Sequence, residues 1–170
     1  MIDHLEGAIL PDGFQLKYNH MKNNGPFVEA QMLIRKPVAS VYQAFIDPEI
    51  TKNFWFTKGS GVLETGKTVT WEWEMYKVSS SVLVKELLPN EKISVEWDQY
   101  HTTVDFLFEA TTADTTYVTI RQYGFQTSGD DLLAEINGAS GGFTTVLDGL
   151  KAYLEHGINL NLIADKFAKK

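Results

Sequence analysis

Several short segments between residues 27 and 123 alternate apolar and polar residues, and this pattern constrains the fold most. The clearest segment is TVTWEWEMYK, Thr68 to Lys77, in which every second residue is large and apolar. Alternation with a period of two is typical of a strand that has one buried face and one face in water. We therefore predict that four side chains lie together on the buried face of this strand: Val69, Trp71, Trp73 and Met75.

Other segments of the chain also have the length and the residue types of strands. Short turns separate the later ones, which predicts an antiparallel meander. The further predicted strands are Phe27 to Lys36, Val82 to Leu88, Lys92 to Gln99, Thr103 to Ala110 and Tyr117 to Tyr123.

Two short helices are predicted between the first strand and the second. After Pro37, the segment VASVYQAF has apolar residues at helical spacing. Asp47-Pro48 ends this helix, because the residue before a proline avoids helical dihedral angles. The segment Glu49 to Phe54 predicts the second short helix.

The period changes again after Ser128, where a long helix is predicted. His156-Gly157 is a suitable end, because glycine readily adopts the left-handed conformation that closes a helix. Three glycines, Gly138, Gly141 and Gly142, interrupt the helix, kink it or let it pack closely. Beyond it, Ile158 to Phe167 predicts a last short helix. The apolar stripe of the long helix comprises Phe143, Val146, Leu147, Leu150, Tyr153 and Leu154.

This order of elements predicts an α+β fold. The expected architecture is a curved antiparallel β-sheet wrapped around a long C-terminal α-helix, with two short helices after the first strand. The 170 residues are most simply one domain. We place the domain at residues 27–170 and expect an N-terminal extension over residues 1–26.

Composition argues against several classes of function. The net charge of −7 disfavours a nucleic-acid surface, which needs clustered Lys and Arg. The chain has no cysteine for a disulfide, a thiol nucleophile or a zinc site. No segment approaches the roughly 18 apolar residues of a membrane span, and Met1 to Asn24 lacks the features of a secretory signal. We expect a cytoplasmic monomer or homodimer without membrane insertion.

No catalytic residue, metal ligand or cofactor site is predicted. Glu72 and Glu74 share a strand face, but the alternation places that face in water. None of the four histidines is three or four positions from another, which is the spacing that a metal site on a helix needs. An enzyme stays possible, but a non-enzymatic role is favoured.

Four segments together resemble a known family. The residues resemble the helix-grip (START-like) superfamily, and within it the family named after the activator of the heat-shock protein 90 ATPase. The sequence departs from the common form in two ways. It has the N-terminal extension to Asn24, and it has Phe143 where tryptophan is frequent and Gln122 where histidine is frequent. The four segments are KPVASVYQAFIDPE (Lys36 to Glu49), VLVKELLPNEKISVEW (Val82 to Trp97), QYGF (Gln122 to Phe125) and GGFTTVLDGLKAYLEHGINL (Gly141 to Leu160).

The resemblance implies a cavity between the sheet and the long helix for a small hydrophobic molecule, such as a lipid or a polyketide-like aromatic compound. The alternatives are a solid core, a co-chaperone-like module that binds a chaperone, and a cyclase or hydrolase acting in the cavity. Gln122 would be the polar anchor. The predicted apolar lining is Trp71, Trp73, Met75, Trp97, Phe106 and Phe108 from the sheet, with Phe143, Leu147 and Leu150 from the helix.

Overall fold

The computed structural model describes residues 25–97 and 101–167. Most of the predicted extension, residues 1–24, lies outside this part of the chain, so the domain boundary stays a prediction. The helices are α1 (Val38–Ile46), α2 (Pro48–Thr51), α3 (Gly129–His156) and α4 (Leu162–Asp165). The strands are β1 (Phe27–Ile34), β2 (Lys58–Gly59), β3 (Thr68–Trp73), β4 (Val78–Leu88), β5 (Lys92–Trp97), β6 (Thr102–Thr112) and β7 (Thr115–Tyr123).

The described strands form one antiparallel sheet in the order β1-β7-β6-β5-β4-β3-β2. Consecutive strands from β2 to β7 are neighbours, as in the predicted meander, and β1 is added beside β7, with Phe27 opposite Tyr123. The register shifts between Val84 and Glu86 in β4. Such a bulge increases local twist and bends a strand. The resulting curved sheet around a long C-terminal helix confirms the predicted helix-grip fold.

The core lies between the concave face of the sheet and two helices, α1 and the C-terminal half of α3. Side chains that alternate along the strands are buried, because each strand turns its apolar face to the helices. Gly149 lets α3 approach the turn after α2, since a Cβ there would lie 3.1 Å from the Phe54 carbonyl oxygen. The largest fully buried side chains include Ile34, Ile93, Phe106, Ile120, Leu147 and Leu150.

The strand that contains the two tryptophans is shorter than predicted. It ends at Trp73, and Glu74–Tyr76 form a 3-10 helix that is closed by Lys77 at a φ of 54°. Met75 therefore leaves the alternation and is 37% exposed, so its predicted place on the buried strand face is wrong. The next strand, β4, already begins at Val78.

The glycines of the long helix do not interrupt it. Helix α3 runs without a break from Gly129 to His156. Gly157 then adopts the left-handed conformation at a φ of 68°, as predicted. Its N–H donates to the Tyr153 carbonyl, and the following N–H donates to the Ala152 carbonyl, which satisfies two groups at the helix end. In the described part of the chain, no helix has the length and apolar character needed to cross a membrane.

Candidate functional site

A half-open cavity of about 620 Å³ lies between the N-terminal half of α3 and the ends of β3, β5 and β7. The C-terminal half of α3 packs directly against the concave face of the sheet. The N-terminal half is separated from the sheet by this cavity. Most of the lining side chains are apolar or aromatic. The lining comprises Trp55, Trp73, Tyr76, Val78, Trp97, Gln122, Phe125, Ala134, Glu135, Gly138, Ala139, Gly142, Phe143, Ile163, Lys166 and Phe167.

Aromatic rings form one wall of the cavity. The indoles of Trp73 and Trp97 are nearly parallel, with an interplanar angle of 6° and ring centroids 6.3 Å apart. Trp55 is only 6% exposed, and its centroid lies 6.1 Å from that of Trp97 and 6.4 Å from that of Phe143. The orientation of the Trp97 ring is fixed by a hydrogen bond, because its Nε1–H donates to Ser80 Oγ at 2.6 Å. This wall therefore presents aromatic rings to the cavity, and the Trp97 ring is held in place by its hydrogen bond.

The opposite wall of the cavity is a face of α3 that carries small residues. Ala134, Gly138 and Gly142 recur every four positions, so they lie on one face of the helix. At Gly138 and Gly142, an added Cβ would meet no neighbouring atom within 4 Å. Fully buried apolar side chains of α3 begin after Phe143, at Val146, Leu147 and Leu150. The cavity therefore lies beside the glycine-containing part of the helix, and the closed core lies beside the part with these larger residues.

One buried amide supplies a polar point inside the cavity. Gln122 is 4% exposed and lines the cavity from β7. Its Nε2–H donates to Thr102 Oγ1 at 2.8 Å, which fixes the orientation of the amide. The amide oxygen of Gln122 then remains as an acceptor for a ligand hydroxyl or N–H group.

The chain after α3 crosses the cavity mouth, and we call residues 162–167 the strap. The Tyr76 hydroxyl donates to the Ile163 carbonyl oxygen and lies 3.3 Å from the Ala164 carbonyl oxygen. The ring of Tyr76 meets that of Phe167 edge to face at 5.7 Å. At the other side of the mouth, Lys166 Nζ is hydrogen-bonded to α3. The strap is therefore held at two points and contributes apolar side chains to the cavity.

Comparison with known families fits this architecture. The family model described as activator of Hsp90 ATPase homolog 1-like protein matches residues 35–155. The chain belongs to this family. No curated protein sequence matches the chain significantly.

Solved structures of other proteins share the fold of this family member. SSP2350 from Staphylococcus saprophyticus is 29% identical with a TM-score of 0.70, over 79% of this chain and 96% of its own. DynU16, a protein of the dynemicin biosynthetic locus, is 18% identical with a TM-score of 0.69, over 78% of this chain and 48% of its own. The Aha1 dimer from Colwellia psychrerythraea is 20% identical with a TM-score of 0.66, over 78% of this chain and 98% of its own. The last two show the fold alone.

The ten predicted site residues of this family member fall into three places. Four of them line the cavity, namely Trp73, Trp97, Gln122 and Phe143. Met75 lies instead on a smaller space of about 80 Å³ beneath the segment that joins α3 to the strap. The other five are buried in the closed core: Trp71, Phe106, Phe108, Leu147 and Leu150. Alternation along a strand identifies which side chains point to the inner face. It does not show which of them the helix covers and which of them line the cavity.

Sequence reasoning missed several lining residues of this family member. Trp55 follows α2 outside any periodic segment, although the aromatic triplet Phe54–Phe56 is a local signal. The every-fourth-residue series of small residues in α3 was a second signal. Nothing in the sequence pattern marked Lys166 or Phe167, since the strap reaches the cavity only through the turn at Gly157.

The titratable side chains at the cavity are Tyr76, Glu135 and Lys166. No hydrogen bond or ion pair joins these three within residues 25–97 and 101–167. The described residues also contain no group of three His, Cys, Asp or Glu side chains that is placed to hold a metal ion. Glu72 was predicted to lie on the solvent-facing side of its strand. Its Oε1 forms an ion pair with Lys58 Nζ at 3.3 Å at the edge of the sheet.

Proposed function

We propose that this protein binds a small hydrophobic ligand in the cavity without transforming it. The observation that supports the proposal best is the combination of an aromatic wall with a helix face kept small by glycine. A core selected only for stability would fill that space, because unfilled volume next to apolar side chains costs free energy.

The expected driving force is the removal of apolar surface from water. At roughly 25 cal/mol per Å², covering about 200 Å² of ligand contributes about 5 kcal/mol before the cost of association. The Trp73–Trp97 wall adds stacking for a flat ring system. Gln122 then sets orientation through a single hydrogen bond, so the ligand class is a flat, mostly apolar molecule.

Native mass spectrometry of the full chain, purified without denaturation, tests the proposal directly by revealing a retained molecule. A titration with the uncharged probe phenylnaphthylamine, followed by its fluorescence, measures the capacity of the cavity. Trp73→Ala is expected to weaken probe binding about tenfold, because it removes one stacking surface. Val62→Ala is the matched control, since Val62 is an exposed apolar residue that does not line the cavity. An absence of probe binding by the unmodified protein, or equal binding by both variants, would refute the proposal.

A chaperone-binding module is the second candidate function. The family name refers to an activator of the Hsp90 ATPase. Two exposed apolar side chains, Met75 and Leu160, both lie on the rim of the smaller space, and Leu160 is 49% exposed. Exposed apolar side chains that line the same space can contribute to a contact with another protein. Measuring the ATPase rate of Hsp90 with and without this protein tests the idea, and an unchanged rate together with no recovery of the chaperone in a pull-down would remove it.

An enzyme acting in the cavity has less support. General acid–base catalysis needs an acid and a base within reach of the same substrate atoms. The buried polar side chains of the described inner face are hydroxyls and one amide, and Glu135 lies at the cavity without a hydrogen bond to the other titratable groups there. We therefore prefer binding over catalysis.

A further inference from the structure

One lysine belongs to the cavity lining, at the end of the strap. Lys166 Nζ donates to Thr145 Oγ1 at 2.9 Å and to the Gly141 carbonyl oxygen at 3.2 Å. Both acceptors are neutral. An ammonium group has three N–H donors and no acceptor, so one donor remains for a ligand. The two bonds to α3 hold this charge at the cavity mouth.

Other carboxylates lie near Lys166 in the described part of the chain, since Asp165 precedes it and Asp148 follows its partner Thr145 by about one turn of α3. Glu135 also lines the cavity, but it precedes Gly141 by six residues on α3, which is about 9 Å along the helix axis. No ion pair within residues 25–97 and 101–167 includes Lys166. The net charge of −7 repels anions from the molecule as a whole. A preference for an anionic ligand must therefore come from this local cation.

We propose that Lys166 makes the cavity selective for amphipathic ligands that have a flat apolar body and one acid group. This inference rests on the proposed ligand binding and specifies the class of ligand. The apolar body would lie against the wall formed by Trp73 and Trp97, and the carboxylate or sulfonate would accept the third donor of Lys166. A charge-assisted hydrogen bond of this kind is stronger than a neutral one, but Lys166 is exposed, so screening by water limits the expected effect to a few-fold in affinity.

Two fluorescent probes separate the acid group from the apolar body. Anilinonaphthalene sulfonate and phenylnaphthylamine share one ring skeleton and differ by the sulfonate. We expect Lys166→Gln to weaken the sulfonate about three- to tenfold and to change the neutral probe by less than about twofold. Lys85→Gln is the matched control, because Lys85 pairs with Glu96 on the sheet and does not line the cavity. It is expected to change neither probe.

Further variants separate the charge of Lys166 from its role in holding the strap. Lys166→Arg keeps the charge and is expected to retain most of the sulfonate affinity. Tyr76→Phe removes the hydrogen bond that holds the strap at its other side but keeps the ring contact with Phe167, and it is expected to weaken both probes alike. The advantage of the sulfonate is also expected to shrink as ionic strength rises.

The possible outcomes distinguish the inference from the proposed function. Binding of both probes with an equal loss in Lys166→Gln would overturn the role of the charge and leave ligand binding intact. Failure of both probes to bind the unmodified protein would overturn both proposals. A selective loss of sulfonate affinity in Lys85→Gln would show that general surface charge, and not Lys166, attracts the acid.

Discussion

Filling the cavity from the helix side is expected to stabilise the protein while weakening ligand binding. Gly142 faces the cavity from the middle of α3, and a Cβ there would meet no neighbouring atom within 4 Å. Gly142→Leu therefore places an apolar side chain in open space opposite the aromatic wall. A substitution that improves stability and weakens ligand binding is a specific signature of a cavity that is kept open.

The size of the effect follows from two contributions. Replacing glycine by leucine inside a helix gains about 0.7 kcal/mol in helix propensity. Burying a leucine fully is worth about 1.5–3 kcal/mol, of which a half-open cavity gives about half. The sum is about 2 kcal/mol, which corresponds to an increase of about 4–8 °C in the melting temperature for a protein of this size. Gly142→Ala gains helix propensity but leaves most of the volume open.

The measurements are urea unfolding of the three proteins and titration with phenylnaphthylamine. Gly142→Ala is expected to be stabilised by about 1 kcal/mol with probe affinity close to that of the unmodified protein. Gly142→Leu is expected to be more stable still and to lose at least about tenfold in affinity, because the probe and the new side chain compete for the same space. A destabilised Gly142→Leu protein, or one that binds the probe as well as Gly142→Ala, would refute the assignment of this face to the cavity.

Two further predictions concern the core and the end of α3. Trp71 is 2% exposed and stacks on Phe56, so Trp71→Ala is expected to cost about 3–5 kcal/mol in unfolding free energy, against about 1–2 kcal/mol for the partly exposed Trp73. Equal losses measured by urea unfolding would contradict this division between core and cavity wall. Burial of Glu155 opposes its ionisation, but the N–H of Arg35 and the ammonium of Lys151, 2.7 and 2.6 Å away, outweigh burial and lower the pKa of Glu155. A lowered pKa in the folded state means that the ionised form contributes stability above about pH 4.5 and that this contribution is lost as the pH falls below it. Glu155→Gln is therefore expected to cost about 1 kcal/mol at pH 7, and the difference is expected to shrink steadily as the pH is lowered below about 4.5 in unfolding measurements; a difference that does not change with pH would contradict it.

Periodicity in the sequence was sufficient for the fold, because strand and helix faces each have a regular spacing that burial enforces. It failed where a turn replaced a regular element. The segment Thr68 to Lys77 alternates along its whole length in the sequence. In the structure the strand ends at Trp73, and Lys77 takes a left-handed conformation after the 3-10 helix. The alternation of Met75 with the tryptophans has no structural counterpart, because the 3-10 helix Glu74–Tyr76 replaces the strand before Met75.

The site was harder to predict than the fold, since a cavity forms where side chains are too small to fill the space between two elements. Patterns of large side chains predicted the inner face and therefore identified Trp97 and Gln122. They did not distinguish the filled half of that face from the open half, which depends on the small residues Gly138 and Gly142. Their position on the helix is periodic, so the same kind of pattern read for small residues would have located the open half.

The position of β1 in the sheet has a consequence for newly synthesised chains. Its first residue, Phe27, pairs with Tyr123, so β1 leaves the ribosome long before its neighbour β7 exists. Pairings this distant in sequence form slowly, and an unpaired strand offers free N–H and C=O groups to other chains. Helix α3, which packs against β1, is made later still. Nascent copies at high concentration are therefore most prone to strand exchange through β1 until translation has passed α3.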